Sequence, residues 1–148
     1  MPIVGLVSKV VFGWAIGNRE NTELALKAWA KVKLAIKKFR KTKGFIVHHD
    51  QGPIYTSYRW LRQLVVKDRI KISYTLRGFK DNEEMESWNS RFKTENKSLF
   101  LDCETLEELE HTIRRQVNYH NAKRRHSAIG NLAPLKFLQD HIKIKKPG

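Results

Sequence analysis

The chain has 148 residues, enough for one domain with a core of its own, and a hydrophobic fraction of 41% that fits a globular protein. Lys and Arg number 29 against 15 Asp and Glu, and the resulting net charge of +14 points to a polyanionic partner. Nucleic acid comes before an anionic membrane surface, because no separate basic amphipathic tail is present. The lone Cys103 excludes a disulfide framework and a Cys-x-x-Cys zinc pattern and fits a reducing, cytoplasmic compartment. No apolar run nears the ~20 residues needed to span a bilayer, so no membrane partner is expected.

In chain order, two short β-branched runs at residues 3–7 and 10–16, joined at Ser8-Lys9, predict a hairpin. Asn21 is placed to cap a helix from Thr22, in which Ala25, Ala28, Trp29, Val32, Ala35, Ile36 and Phe39 recur at helical spacing. The basic stretch at residues 37–43 reads either as a solvated helix end or as a contact for DNA phosphates. Gly44 breaks the pattern, and Phe45-Ile46-Val47 then reads as a buried strand ending in the turn sequence Asp50-Gln51-Gly52-Pro53. A helix over residues 57–67 and an alternating strand at 70–74 follow, an order that implies a parallel, right-handed crossover with Asp50 at the carboxyl end of its strand.

Residues 75–81 read as a loop. Asp81 and Glu84 have capping-box spacing, Met85, Trp88 and Phe92 form an apolar stripe expected to face the core, and Glu86, Asn89, Ser90 and Lys93 form a polar stripe beside it. Thr105 and Glu108 repeat the capping-box spacing before a helix with apolar residues Leu106, Leu109, Ile113 and Val117. That helix runs into the basic cluster Lys123, Arg124, Arg125 and His126, a candidate DNA contact. A short helix over residues 135–141 ends the domain at about residue 140, and residues 141–148 read as a basic, disordered tail.

Two carboxylates stand out, Asp50 at a strand end and Glu86 one turn into a helix. Hard divalent cations take oxygen donors, often one or two protein carboxylates plus substrate phosphates, so the pair could hold Mg²⁺. Each also has an ordinary role, Asp50 before a glycine in a turn and Glu86 at the positive end of a helix dipole. His48 and His49 lack the further Cys or His that a zinc site needs, and one of them reads as a polar strand end. Nothing arranges a base against Tyr55, Thr56 or Ser57 as a nucleophile.

Three segments match one family. His49-Asp50-Gln51-Gly52-Pro53-Ile54-Tyr55-Thr56-Ser57 resembles the His-Ser-Asp-x-Gly-x-x-Tyr-Thr-Ser motif of the integrase core in bacterial insertion-sequence transposases, with His49 at the Ser position. Asp81-Asn82-Glu83-Glu84-Met85-Glu86-Ser87-Trp88, continuing to Lys93 and Glu95, resembles the family's Asp-Asn-Ala-x-Met-Glu-Ser-Phe helix. Tyr119-His120-Asn121-Ala122-Lys123-Arg124-Arg125-His126-Ser127 resembles its Tyr-Asn-x-x-Arg-x-His-Ser segment.

The resemblance implies an α/β, ribonuclease-H-like fold, a mixed sheet with flanking helices. It also implies metal-dependent cleavage of transposon ends and strand transfer into target DNA, with Mg²⁺ or Mn²⁺ held by two Asp and one Glu. By it, Asp50 and Glu86 are catalytic and metal-binding, Lys93 lies near DNA, and the partner is DNA in a bacterial cytoplasm. The family's first strand, which carries the first Asp, has no counterpart: no Asp precedes Asp50. The expectation is therefore an amino-terminally truncated core, defective in cutting by itself. The alternative is a non-enzymatic DNA-binding regulator, working as a homo-oligomer or in a mixed oligomer with an intact transposase.

Overall fold

A computed structural model describes residues 1–38, 44–76 and 82–144. The elements are β1 (Pro2–Val4), β2 (Val11–Trp14), α1 (Thr22–Lys37), β3 (Ile46–His49), α2 (Tyr58–Leu61) continuing into a π-helical turn (Arg62–Lys67), and β4 (Lys71–Tyr74). They are followed by α3 (Glu83–Glu95), α4 (Lys97–Leu101), α5 (Leu106–Ala122), a 3₁₀ turn (Ser127–Ile129) and α6 (Pro134–Ile144). The backbone divides into one compact unit of Met1–Ile3 with Phe12–Ser90 and another of Val4–Val11 with Arg91–Gly148.

The first unit is built on α1. Asn21 caps it as expected, its side-chain oxygen accepting the Leu24 N–H at 2.8 Å. Its buried face is Leu24, Ala25, Ala28, Trp29, Val32 and Ile36. The two alanines on that face let β2 come close: a Cβ on Gly13 would lie 2.3 Å from the Ala28 carbonyl oxygen, so only glycine fits. Trp29 meets Trp60 edge to face at 6.4 Å, and with Leu64 and Ile70 they form one apolar cluster. Asp68 pins its border, accepting from Trp29 Nε1 at 2.7 Å, Gln63 Nε2 at 2.9 Å and Lys33 Nζ at 3.5 Å.

Met1, Ile3 and Phe12 of the hairpin region pack on this cluster, and so do Phe45, Val47 and Ile72 of the β3–β4 region. Strands β3 and β4 are parallel, in register from Ile46 opposite Lys71 to His49 opposite Tyr74, which is the crossover expected from the element order. The mixed α/β, ribonuclease-H-like class is as expected, and the described strands make two small two-stranded sheets. That narrowness corrects the view of β3 as buried: only the face carrying Val47 and His49 is covered, and Ile46 on the other is 62% exposed. The hairpin strands are also shorter than their apolar runs, because the chain turns at residues 6–8 and leaves Leu6 and Val7 exposed.

In the second unit the Thr105 hydroxyl accepts the Glu108 N–H at 3.1 Å, capping α5 as its sequence predicts. The Glu108 carboxylate reaches one residue further back than a capping box requires, to the Glu104 N–H at 2.8 Å. Val117 and Thr112 are the buried positions of α5 apart from His120, and α6 packs beside it. The expected apolar stripe of α3 is its less exposed side: Met85, Trp88 and Phe92 are half-buried, although no residue of α3 is fully buried. The last helix extends to Ile144, past the predicted end at His141. The basic run at 39–43, the loop at 77–80, the Asp81 cap and the tail at 145–148 lie outside the described residues.

Candidate functional site

Asp50 follows β3 directly and is exposed. Its Oδ1 accepts the Gly52 N–H at 2.8 Å, an Asx turn that swings the chain out of the strand. A Cβ on Gly52 would sit 2.8 Å from that same oxygen. Tyr55 and Thr56 then donate their N–H groups to the Gly52 carbonyl at 3.0 and 3.1 Å, and the Ser57 hydroxyl caps α2 at Trp60 N. The residues that look like nucleophiles in the sequence are thus turn and cap residues.

His49 is buried, and both its ring nitrogens are engaged. Trp60 Nε1 lies 3.1 Å from Nε2, and because an indole N–H can only donate, Nε2 is the acceptor. The proton therefore sits on Nδ1, which donates to the Asp50 carbonyl at 3.0 Å. Burial pushes the His49 pKa down and keeps the ring neutral, despite the nearby Asp50 carbonyl and carboxylate. Tyr55 stacks on it at 4.5 Å and Tyr74 meets it edge-on at 4.9 Å. His49 thus has no lone pair left for a metal. Its work is to hold the backbone at Asp50. His48, exposed, has Nδ1 3.1 Å from the Ser73 hydroxyl.

Glu86 lies exposed in the first turn of α3, beside Glu83 and Glu84. Asp50 and Glu86 have the oxygen donors that a hard divalent cation takes. Among the described residues, however, no three His, Cys, Asp or Glu side chains come together in a way that could hold a metal ion. The three-carboxylate centre implied by the resemblance is not assembled by these residues.

The segment after α5 divides into two kinds of side chain. Lys123 and Arg125 are exposed, as is Lys93 on α3. Arg124 instead forks onto both carboxylate oxygens of Glu95, with Nη2 to Oε1 at 2.7 Å. The Arg124 hydrogen bond holds the Glu95 carboxyl below its usual range, and Glu95 in turn raises Arg124. An acid at a helix C-terminus opposes the dipole, so Glu95 needs this partner. His120 donates from Nε2 to the Lys9 carbonyl at 2.9 Å. Asn121 pairs with Val11 as a neighbouring strand would, accepting its N–H at 2.9 Å and donating to its carbonyl at 3.0 Å. His126 meets His120 edge-on at 4.8 Å, and its buried Nε2 has no hydrogen-bond partner among the described residues. Burial, with His120 and Arg124 nearby, pushes its pKa down to about 4. Much of what reads in the sequence as a cationic cluster is an internal latch.

Residues 68–134 match the family model described as "Integrase core domain". In sequence the chain is 31% identical over 130 residues to the insertion element IS600 uncharacterized 31 kDa protein of Shigella sonnei, covering 86% of this chain and 46% of that protein. It is 31% identical over 141 residues to the transposase for insertion sequence element IS904 of Lactococcus lactis subsp. lactis (strain IL1403), covering 90% and 52%. The chain thus spans about half the length of the curated relatives it matches. In structure it resembles the catalytic core domain of BIV integrase, with a TM-score of 0.61 over 97% of this chain and 87% of that one at 20% identity, a likeness of fold. Motifs, sequence relatives and backbone agree: residues 68–134 carry an integrase core match, and the chain is similar in sequence to insertion-sequence transposases and in fold to a retroviral integrase core.

Proposed function

We propose that this protein binds DNA as an integrase core and does not cut it by itself. The observation that carries the proposal is the conjunction of an integrase core match over residues 68–134 with exposed cations at Lys93, Lys123 and Arg125, which have no ion-pair partner among the described residues, on a chain of net charge +14. In this reading those three side chains contact phosphates, while Arg124 and His126 shape the same surface, one paired to Glu95 and the other neutral. Residues 1–140 act as the core, and the basic residues of 141–148, the end of α6 included, add electrostatic attraction. The DNA comprises transposon ends and target.

Asp50 and Glu86 are the carboxylates that would face Mg²⁺ or Mn²⁺, the kind of ion the family uses. Two carboxylates where the resemblance implies three leave the chain short of a cutting centre, since catalytic groups must be held to about 0.5 Å. In a mixed oligomer with an intact transposase, such a chain would occupy DNA without contributing a working site. The test is fluorescence anisotropy of a labelled duplex titrated with protein at several salt concentrations. Binding that weakens with salt, and weakens further in Lys123→Gln/Arg125→Gln, supports the proposal; no salt-sensitive binding overturns it.

A further inference from the structure

We infer that the outer face of α2, its π-helical turn and the start of β4 is a DNA-backbone surface of the first unit, in addition to the cations around Lys123 in the second. Arg59, Arg62, Lys67, Arg69 and Lys71 are all exposed. Asp68 is the only acid between Gln51 and Leu76, and its hydrogen bonds go to other residues than these five. Its carboxylate is taken by Trp29, Gln63 and Lys33, leaving its side chain 18% exposed. Among the described residues none of the five cations has an ion-pair partner, whereas Lys27, Lys33, Arg114, Arg124 and Lys136 all do. An ordinary solvated face intersperses both signs; this one has been left uncompensated.

The backbone aligns the charges. In the π-helical turn the Asp68 N–H bonds to the Gln63 carbonyl, five residues back, at 3.0 Å. That widened spacing brings Arg62 and Lys67 onto one side, with Arg59 a turn before Arg62. Leu64 stays fully buried while Val65 and Val66 are turned outward, 48% and 68% exposed. Tyr58 at the start of the face is 77% exposed and Ile46, in register with Lys71, is 62% exposed, so the cations are flanked by side chains that can lie against sugars. From Arg59 to Lys67 the helix rises roughly 12 Å, the reach of about three phosphates along one strand. A row of uncompensated cations on one face suits a phosphate backbone, where contacts position the protein without reading sequence.

The inference rests on the DNA-binding proposal, and the experiment separates the two. Arg59→Gln/Arg62→Gln/Lys67→Gln is compared with the unaltered chain on a labelled duplex across salt, with circular dichroism to check folding. The slope of log Kd against log salt should fall by about 2 to 3, since each lost phosphate contact removes about 0.9. In a second measurement on the unaltered chain, acylation of Lys67 and Lys71 should be slowed by the duplex while Lys27 on α1 is not. An unchanged slope in a folded variant, or equal labelling with and without the duplex, overturns the surface on the first unit while leaving DNA binding through Lys123 and Arg125 intact. Absence of any binding by the unaltered chain overturns both.

Discussion

Replacing Trp60 by Phe removes the one N–H that satisfies His49 Nε2, 3.1 Å away in a buried position. An unmet buried acceptor costs about 1 to 3 kcal/mol, so Trp60→Phe should lower the unfolding free energy from urea titration by that much, on top of the cost of the lost ring volume. Arg124 and Glu95 admit a cleaner test because their side chains are only 29% and 41% exposed and the contact is a fork. Glu95→Gln should cost about 0.5 to 1 kcal/mol and speed amide exchange in the last turn of α3, and Glu95→Arg with Arg124→Glu should restore protection. His126 supplies the pH dependence. Its pKa is about 4 in the folded chain against 6.5 unfolded, so the unfolded state binds more protons between those values. Stability present above pH 6.5 is therefore lost as pH falls toward 4, and urea midpoints measured across that window should drop, less steeply in His126→Asn.

At the scale of elements, the close approach of β2 to α1 is the contact with least tolerance. Gly13→Ala would drive a Cβ to 2.3 Å from the Ala28 carbonyl and 2.7 Å from a Val32 methyl, and should cost about 2 to 3 kcal/mol in the unfolding free energy. Local chemistry made several elements legible in the sequence: the Asn21 cap of α1, the Thr105 cap of α5, the apolar spacing of α1 and the strand, helix, strand order that became the parallel β3–β4 pair. What stayed hidden depends on partners far along the chain. Asn121 finds Val11 across 110 residues, and nothing around either residue marks the pairing. The exposure of Ile46 depends on how few strands share its sheet, and the π-helical turn on where Asp68 finds its partners. At the site, Asp50 and Glu86 were visible through motif resemblance, whereas the aromatic setting that fixes His49 as a neutral donor to the Asp50 carbonyl needed Trp60, Tyr55 and Tyr74 in space.

For the whole molecule, we propose that the net charge of +14 serves to hold DNA and that Asp50 and Glu86 alone do not cut it. No helix among the described residues is long and apolar enough to cross a membrane. The most direct measurement is nicking of supercoiled plasmid by the purified chain in Mn²⁺, at protein concentrations where anisotropy shows the DNA to be bound. Bound but unbroken plasmid is the predicted result, unchanged in Glu86→Gln. Nicking that Glu86→Gln abolishes would contradict it, and would mean that these 148 residues assemble a working metal centre.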